Sequence, residues 1–265
     1  MTKILFIGDI VGYIGREAVK KILPTLIRKH KPNLVIANAE NLAHGKGVTE
    51  VTLKEMQKVG VNYFTSGNHI FSRKNFADIL DNKDFNILRP ANYPEQMAGM
   101  GEKVINISQK KVLLVNLIGR VFLKENFDCP FKKFDKIFKK YYDKVDIIIV
   151  DFHAEATSEK KAFAFYADGR ANIIIGTHTH IQTSDEQVLP AGSAYITDVG
   201  AVATKNSVLG VDSDVIIKSF LDQINYPHEM PRVGECEFNA IIIGIDKKTN
   251  EVKNINRIQE IVTIK

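Results

Sequence analysis

Asp146-Ile147-Ile148-Ile149-Val150-Asp151-Phe152-His153 is a run of branched apolar residues that ends in an acid and an imidazole, and Ile173-Ile174-Ile175-Gly176-Thr177-His178-Thr179-His180 follows the same plan. Neither run alternates apolar with polar, so each reads as a strand covered on both faces, the signature of an α/β protein with parallel strands. In open α/β sheets ligands gather at the carboxyl ends of the strands, where these histidines fall.

Working outward, the same design recurs. Ile4 to Ile7 precedes Gly8-Asp9, and Gly12 and Gly15 open a helical stretch to Lys29 in which Pro24 predicts a kink or break. Leu34 to Ala37 ends at Glu40-Asn41. After Ala43-His44-Gly45-Lys46-Gly47, read as a mobile substrate-side loop or a simple turn, Thr49 suits the N-cap of a helix reaching Val59. Val61 to Thr65 ends at Gly67-Asn68-His69. Val104 to Ile107 and Val112 to Leu117 form a hairpin around Gln109-Lys110. Phe131 to Tyr142 and Asp212 to Gln223 are helical. Gln187 to Leu189 and Ala194 to Thr197 are strands, and Phe238 to Ile245 pairs with Val252 to Ile264 across a turn. Without repeat, linker or low-complexity segment, one domain over residues 1–265 is expected.

Composition narrows the class. The 265 residues are 45% hydrophobic and 25% charged, ordinary for a globular chain with one large core. No window approaches the roughly 18 apolar residues of a membrane span, and the chain opens directly into a strand pattern without a cleavable signal, so a cytoplasmic location is expected. The net charge of +5 and pI near 9.0 favour phosphate-bearing substrates, but the basic residues are scattered and no RNA-binding signature is present. Cys129 and Cys236 are far from the histidine motifs and read as buried spectators.

The reactive residues form a set. Of the seven histidines, four (His69, His153, His178 and His180) stand at strand ends, together with Asp9, Glu40, Asn41 and Asn68. A lone histidine there is more often a hydrogen-bonded structural residue than a ligand. His178 and His180, however, are two apart; on an extended segment they point the same way, roughly 6.6 Å apart along the chain, and can face one metal centre. Imidazole, carboxylate and amide oxygen without thiolate suit iron, manganese or zinc and argue against a structural zinc cluster.

The segments Gly8-Asp9, Asn38-Ala39-Glu40-Asn41, Gly67-Asn68-His69, Asp151-Phe152-His153-Ala154-Glu155 and Gly176-Thr177-His178-Thr179-His180 resemble, in order, those of the calcineurin-like metallophosphoesterases, and more closely their YmdB-like branch of cyclic-nucleotide phosphodiesterases. The resemblance implies a two-sheet α/β sandwich flanked by helices in αββα layers, with a dinuclear site at one edge. It implies Asp9, Glu40, Asn41 and His180 around one metal and Glu40, Asn68, His153 and His178 around the other, Glu40 bridging. Iron is the first expectation for the two ions, manganese or zinc the alternatives. Two cations roughly 3.5–4 Å apart can hold a hydroxide and clamp the attacking and leaving oxygens of an in-line displacement. His69 is the expected general acid, protonating the departing ribose oxygen.

The chain departs from the wider superfamily in three places. Asp9-Ile10-Val11 lacks the usual histidine, for which Asn41 substitutes; Glu40 stands for the usual bridging Asp; and Ile70 replaces the acid that often follows Gly-Asn-His. The expected function is hydrolysis of cyclic nucleotides, 2′,3′-cyclic ones by the resemblance. The alternatives are a phosphomonoesterase or RNA-processing nuclease with the same metals, or a regulatory RNA- or protein-binding module with a structural metal site. RNA and a second copy of the chain stay open as partners, and a membrane is not expected.

Overall fold

A computed structural model describes residues 1–265. Two six-stranded mixed sheets lie face to face. The first contains β1 (Thr2–Ile10), β2 (Leu34–Asn38), β3 (Tyr63–Thr65), β10 (Ala201–Thr204), β11 (Gly234–Ile245) and β12 (Val252–Ile264), ordered β12-β11-β10-β1-β2-β3, with β11 also pairing to β1. The second contains β4 (Glu102–Ile107), β5 (Lys110–Ile118), β6 (Ile147–His153), β7 (Ile173–Thr177), β8 (Gln187–Val188) and β9 (Ala194–Ile196), ordered β4-β5-β6-β7-β9-β8. β1, β2 and β3 are mutually parallel, as are β5, β6, β7 and β9, so the carboxyl ends within each set share one edge.

Alternation of side chains along the central strands divides the core into layers. Ile4, Phe6 and Ile36 of the first sheet meet Val112, Leu114, Ile149 and Ile175 of the second. The opposite face of the first sheet, through Leu5, Ile7, Val35 and Ala37, carries α1 (Gly12–His30) and α2 (Glu50–Lys58). That of the second, through Leu113, Val115 and Val150, carries α4 (Pro130–Tyr141) and α5 (Thr157–Ala167). Two further helices, α3 (Phe76–Asp81) and α6 (Ser213–Asp222), are peripheral. The αββα sandwich expected from the resemblance is the fold. No helix is long and apolar enough to cross a membrane.

Local chemistry follows the sequence in most places. Thr49 caps α2 with a reciprocal capping box to Thr52, and β4 turns into β5 with Ile107 opposite Lys110. Several features differ, among them these. Pro24 neither kinks nor ends α1, which runs unbroken from Gly12 to His30. The backbone bond lost to the proline is offset by burial of Ala18, Val19, Leu23 and Leu26 against the first sheet. Helix α5 is not apparent from the sequence because two of its inward residues, Glu159 and Lys160, are charged. Strand β10 gives no clear pattern because it is only four residues long.

Ile149 lies at the centre of the inter-sheet layer and is fully buried. Ile149→Ala should cost about 2–5 kcal/mol, the range for deleting a large aliphatic side chain from a core. It should be seen as a lower denaturant midpoint with an unchanged slope.

Candidate metal centre

The parallel strands deliver their polar ends to one edge, and the two sheets contribute different atoms. Asp9 ends β1, Glu40 and Asn41 follow β2, and Asn68 and His69 begin the 3₁₀ turn Asn68–Ser72 after β3. His153 ends β6 and His178 follows β7. Asp9, Glu40, Asn41 and His153 are buried; Asn68, His69, His178 and His180 are partly exposed.

The structure brings Glu40, His153 and His178 tightly together, with one ligand atom of each within 4.8 Å of the others. His153 Nε2 is 3.2 Å from Glu40 Oε1 and 3.0 Å from His178 Nδ1. Hydrogen bonding sets the tautomers. The Thr177 hydroxyl donates to Asp151 Oδ1 at 2.7 Å, so its oxygen is free to accept from His153 Nδ1 at 2.9 Å, which leaves Nε2 to face the centre. His178 Nε2 lies 2.9 Å from Glu155 Oε2, and its Nδ1 faces inward, toward His153 Nε2. Two imidazole lone pairs thus converge on each other beside a carboxylate, an arrangement that calls for a positive charge between them.

Electrostatics express the same demand. Burial raises the Glu40 pKa, but His153 outweighs it and holds the carboxyl at about 2. Burial lowers that of His153, but Glu40, with help from Asp9 and Asp151, lifts it to about 9. Burial and the adjacent His153 push His178 down to about 3. A proton on His153 therefore relieves the repulsion for one ring, while a bound cation would relieve it for both and leave each imidazole neutral. Burial lifts Asp9 to about 7 against the attraction of His180 and His153, and burial also lowers His69, against the pull of Glu40.

Buried oxygens supply a further test of fit. Asp9 Oδ1, Asn41 Oδ1 and Asn68 Oδ1 are buried without any hydrogen-bond partner. Leaving a buried acceptor unmatched costs about 1–3 kcal/mol each. Three such oxygens, with two inward imidazoles and Glu40, match in type the donors that an oxygen- and nitrogen-bound metal takes. Asn41 is aimed by its own amide, which donates to Gly45 O at 2.7 Å. Neither cysteine belongs to the centre, and both are free thiols; Cys236 is buried in the outer layer of the first sheet, whereas Cys129 is only partly buried.

His178 and His180 do not lie on an extended segment as their spacing suggests. β7 stops at Thr177, and both histidines take left-handed backbone, φ 99° and 65°. Asp198 causes the bend by accepting from Thr179 N at 3.0 Å and Thr179 Oγ1 at 2.6 Å, while His178 N donates to Asp9 Oδ2 at 3.2 Å. Non-glycine residues held there cost about 1–3 kcal/mol and cluster at functional sites. His180 lies outside the tight group, with Nδ1 3.2 Å from Leu209 O. His69 is fixed through its backbone, whose N–H donates to Glu40 Oε2 at 3.1 Å.

Several contributors escape a reading of the sequence. Asp151, Thr177 and Glu155 orient the imidazoles, and Lys160 Nζ meets Asp198 at 2.6 Å with both side chains buried. Asp151 and Glu155 sit inside the quoted motif, but only the fold shows which nitrogen each supports. Of Asp168-Gly169-Arg170 and Asp198-Val199-Gly200, either of which the sequence allows to support the site or merely to make a turn, the first makes structural links: Asp168 accepts from Ala191 N and Ser193 N, and Arg170 pairs with Asp135. The Gly45–Gly47 loop is pinned, since Arg73 donates to Ala43 O and, at 2.9 Å, to Lys46 O.

The fold and this edge define an enzyme of the metallophosphoesterase superfamily. The model of the YmdB-like proteins matches residues 5–258, and the chain belongs to that family. It is 42% identical over 256 residues to the 2′,3′-cyclic-nucleotide 2′-phosphodiesterase of Bacillus subtilis (strain 168), covering 97% of this chain and 96% of the relative. A crystal structure described as a novel phosphatase, from Mycoplasma pneumoniae, superposes with a TM-score of 0.92 at 35% identity, covering 98% of this chain and 93% of the other. A hypothetical protein from Thermus thermophilus superposes with a TM-score of 0.91 at 33% identity, over 98% of this chain and 99% of the other.

Gly67 lies against the centre, where a Cβ would collide with His153 Nε2 and Glu40 Oε2. Gly67→Ala should therefore displace one of these two groups. Elemental analysis of the purified variant should show metal content well below wild type, with the circular dichroism spectrum unchanged.

Proposed function

We propose that this chain is a dinuclear metal-dependent phosphodiesterase that hydrolyses 2′,3′-cyclic nucleotides. The convergence of the His153 and His178 lone pairs on Glu40 is the observation that carries the reading. The orphaned oxygens of Asp9, Asn41 and Asn68 support it. In this reading Asp9, Glu40, Asn41 and His180 would hold one ion and Glu40, Asn68, His153 and His178 the other, with Glu40 common to both sets. The nitrogen and oxygen donors suit iron, with manganese or zinc as alternatives. When bound, such a pair supplies Lewis acidity toward the phosphoryl oxygens and acidifies water.

The chain's own residues then have separable tasks. Asp151 acts through Thr177 to fix the His153 ring, and Glu155 fixes that of His178, so neither nitrogen must be reoriented during turnover. Asp198 and Lys160 hold the bent His178-Thr179-His180 segment. His69, half-buried and anchored at its amide by Glu40, donates a proton to the ribose oxygen that leaves when the cyclic diester opens.

Two measurements test this. Purified protein should contain about two metal ions per chain, and Glu40→Ala should lower both; full occupancy in that variant would remove the bridging role. His69→Ala should keep its metal, yet lose roughly 10²–10⁴-fold in turnover of a 2′,3′-cyclic nucleotide. It should retain much of its activity on bis-p-nitrophenyl phosphate, whose phenolate leaves without a proton. Equal losses on the two substrates would make His69 a phosphate-positioning residue instead. A panel including nucleoside monophosphates and short RNA separates the diesterase from a phosphomonoesterase or nuclease using the same centre.

A further inference from the structure

Near the candidate metal centre lies a cavity of about 540 Å³, formed by His44 and Lys46 of the glycine-rich loop, the end of the 3₁₀ turn with Arg73, and residues 225–228 with Met230. Its lining includes four basic side chains, His44, Lys46, Arg73 and His228, with Ser72 and Tyr226 between them, and no carboxylate. The volume is within the range of small-ligand sites, roughly 300–1,000 Å³.

Residues of the cavity wall contact residues of the centre. Gly45 O accepts from the amide of Asn41, and a Cβ on Gly47 would press against both His69 O and Arg73. Ser72 ends the turn that begins at Asn68, and Arg73 follows it. Lys46 is near enough to His69 to oppose its protonation. The walls are also fixed. Two bonds from Arg73 to the loop carbonyls hold the guanidinium in place, leaving part of its five-donor fork free, and Met230 packs against Gly45, where any side chain would collide with it. A cationic cavity with a preorganised guanidinium, one step from a phosphate-processing centre, suits a second phosphate of the same substrate.

We propose that this cavity binds a phosphate on the 5′ carbon of the nucleotide whose 2′,3′-cyclic diester occupies the metal centre. The proposal rests on the cyclic-nucleotide reading above and deepens it: the preferred substrate carries phosphate on both sides of the ribose. A 5′-phosphorylated mononucleotide and the 3′ end of an oligoribonucleotide both present that group.

The test compares kcat/KM for uridine 2′,3′-cyclic phosphate, its 5′-phosphorylated counterpart, and a dinucleotide ending in the same cyclic phosphate. The 5′-phosphorylated compound should be favoured over the first by at least about tenfold, the scale of one charge-assisted hydrogen bond, and mainly through KM. Lys46→Ala and His228→Ala, each removing an exposed side chain, should shrink that ratio severalfold. A dinucleotide turned over as well as the 5′-phosphorylated compound extends the site to RNA ends; a slower one confines it to mononucleotides, and both support a 5′-phosphate site. Equal kcat/KM for the first two substrates, or an unchanged ratio in both variants, overturns the proposal and leaves the phosphodiesterase reading intact. Failure to turn over any of the three, with bis-p-nitrophenyl phosphate still hydrolysed, overturns that reading and the proposal with it.

Discussion

Glu40 and His153 meet at 3.2 Å with both side chains buried, one from each sheet. Charged or polarised groups taken out of water must find partners, and removing one member of such a pair leaves the other uncompensated, at a cost of about 3–5 kcal/mol. The other polar groups at this edge are arranged around that pair. Asn38 of β2 reaches across the seam to Asp151 of β6 at 3.3 Å, and Ser66 N donates to Asn116 of β5 at 2.9 Å. The sandwich is thus apolar through its middle and closed at one edge by polar links between the sheets.

The two sheets divide the proposed donors. Asp9, Glu40, Asn41 and Asn68, which would offer oxygen, come from the first, whereas His153, His178 and His180 come from strand ends of the second and the segment that follows. A cation at the seam would couple the sheets as well as serve the chemistry. It would stabilise the folded chain in proportion to the logarithm of its concentration over its dissociation constant.

Such a site costs stability locally and draws on its surroundings. Two histidines sit in left-handed backbone and three buried oxygens lack donors. Layers of fully buried isoleucine, leucine, valine and phenylalanine on both sides of each sheet offset these costs. Asp198, itself buried, directs the strain by holding Thr179 and Lys160 with one oxygen and Gly200 N with the other. Lys160 thereby ties α5 to the candidate metal centre, which explains a lysine buried on the inward side of that helix.

Most of the architecture is legible in the chain because unbroken apolar runs of this length suit strands covered on both faces, and each ends in a residue that cannot be buried without a partner. Ile147 to Val150 followed by Asp151 and His153, or Leu34 to Ala37 followed by Glu40, states both the strand and its functional end. Periodicity cannot reveal α5, whose inward Glu159 and Lys160 look like surface residues until Asp198 and the backbone of Arg120 are brought to them. It cannot show that His178 and His180 leave the strand, because the bend is imposed by Asp198 and Asp9 from distant parts of the chain. Residue type and order determined which atoms could bind a metal. Only tertiary packing decided which nitrogen of each imidazole faces inward and which oxygens stay unpartnered, because hydrogen bonds between residues remote in sequence set both.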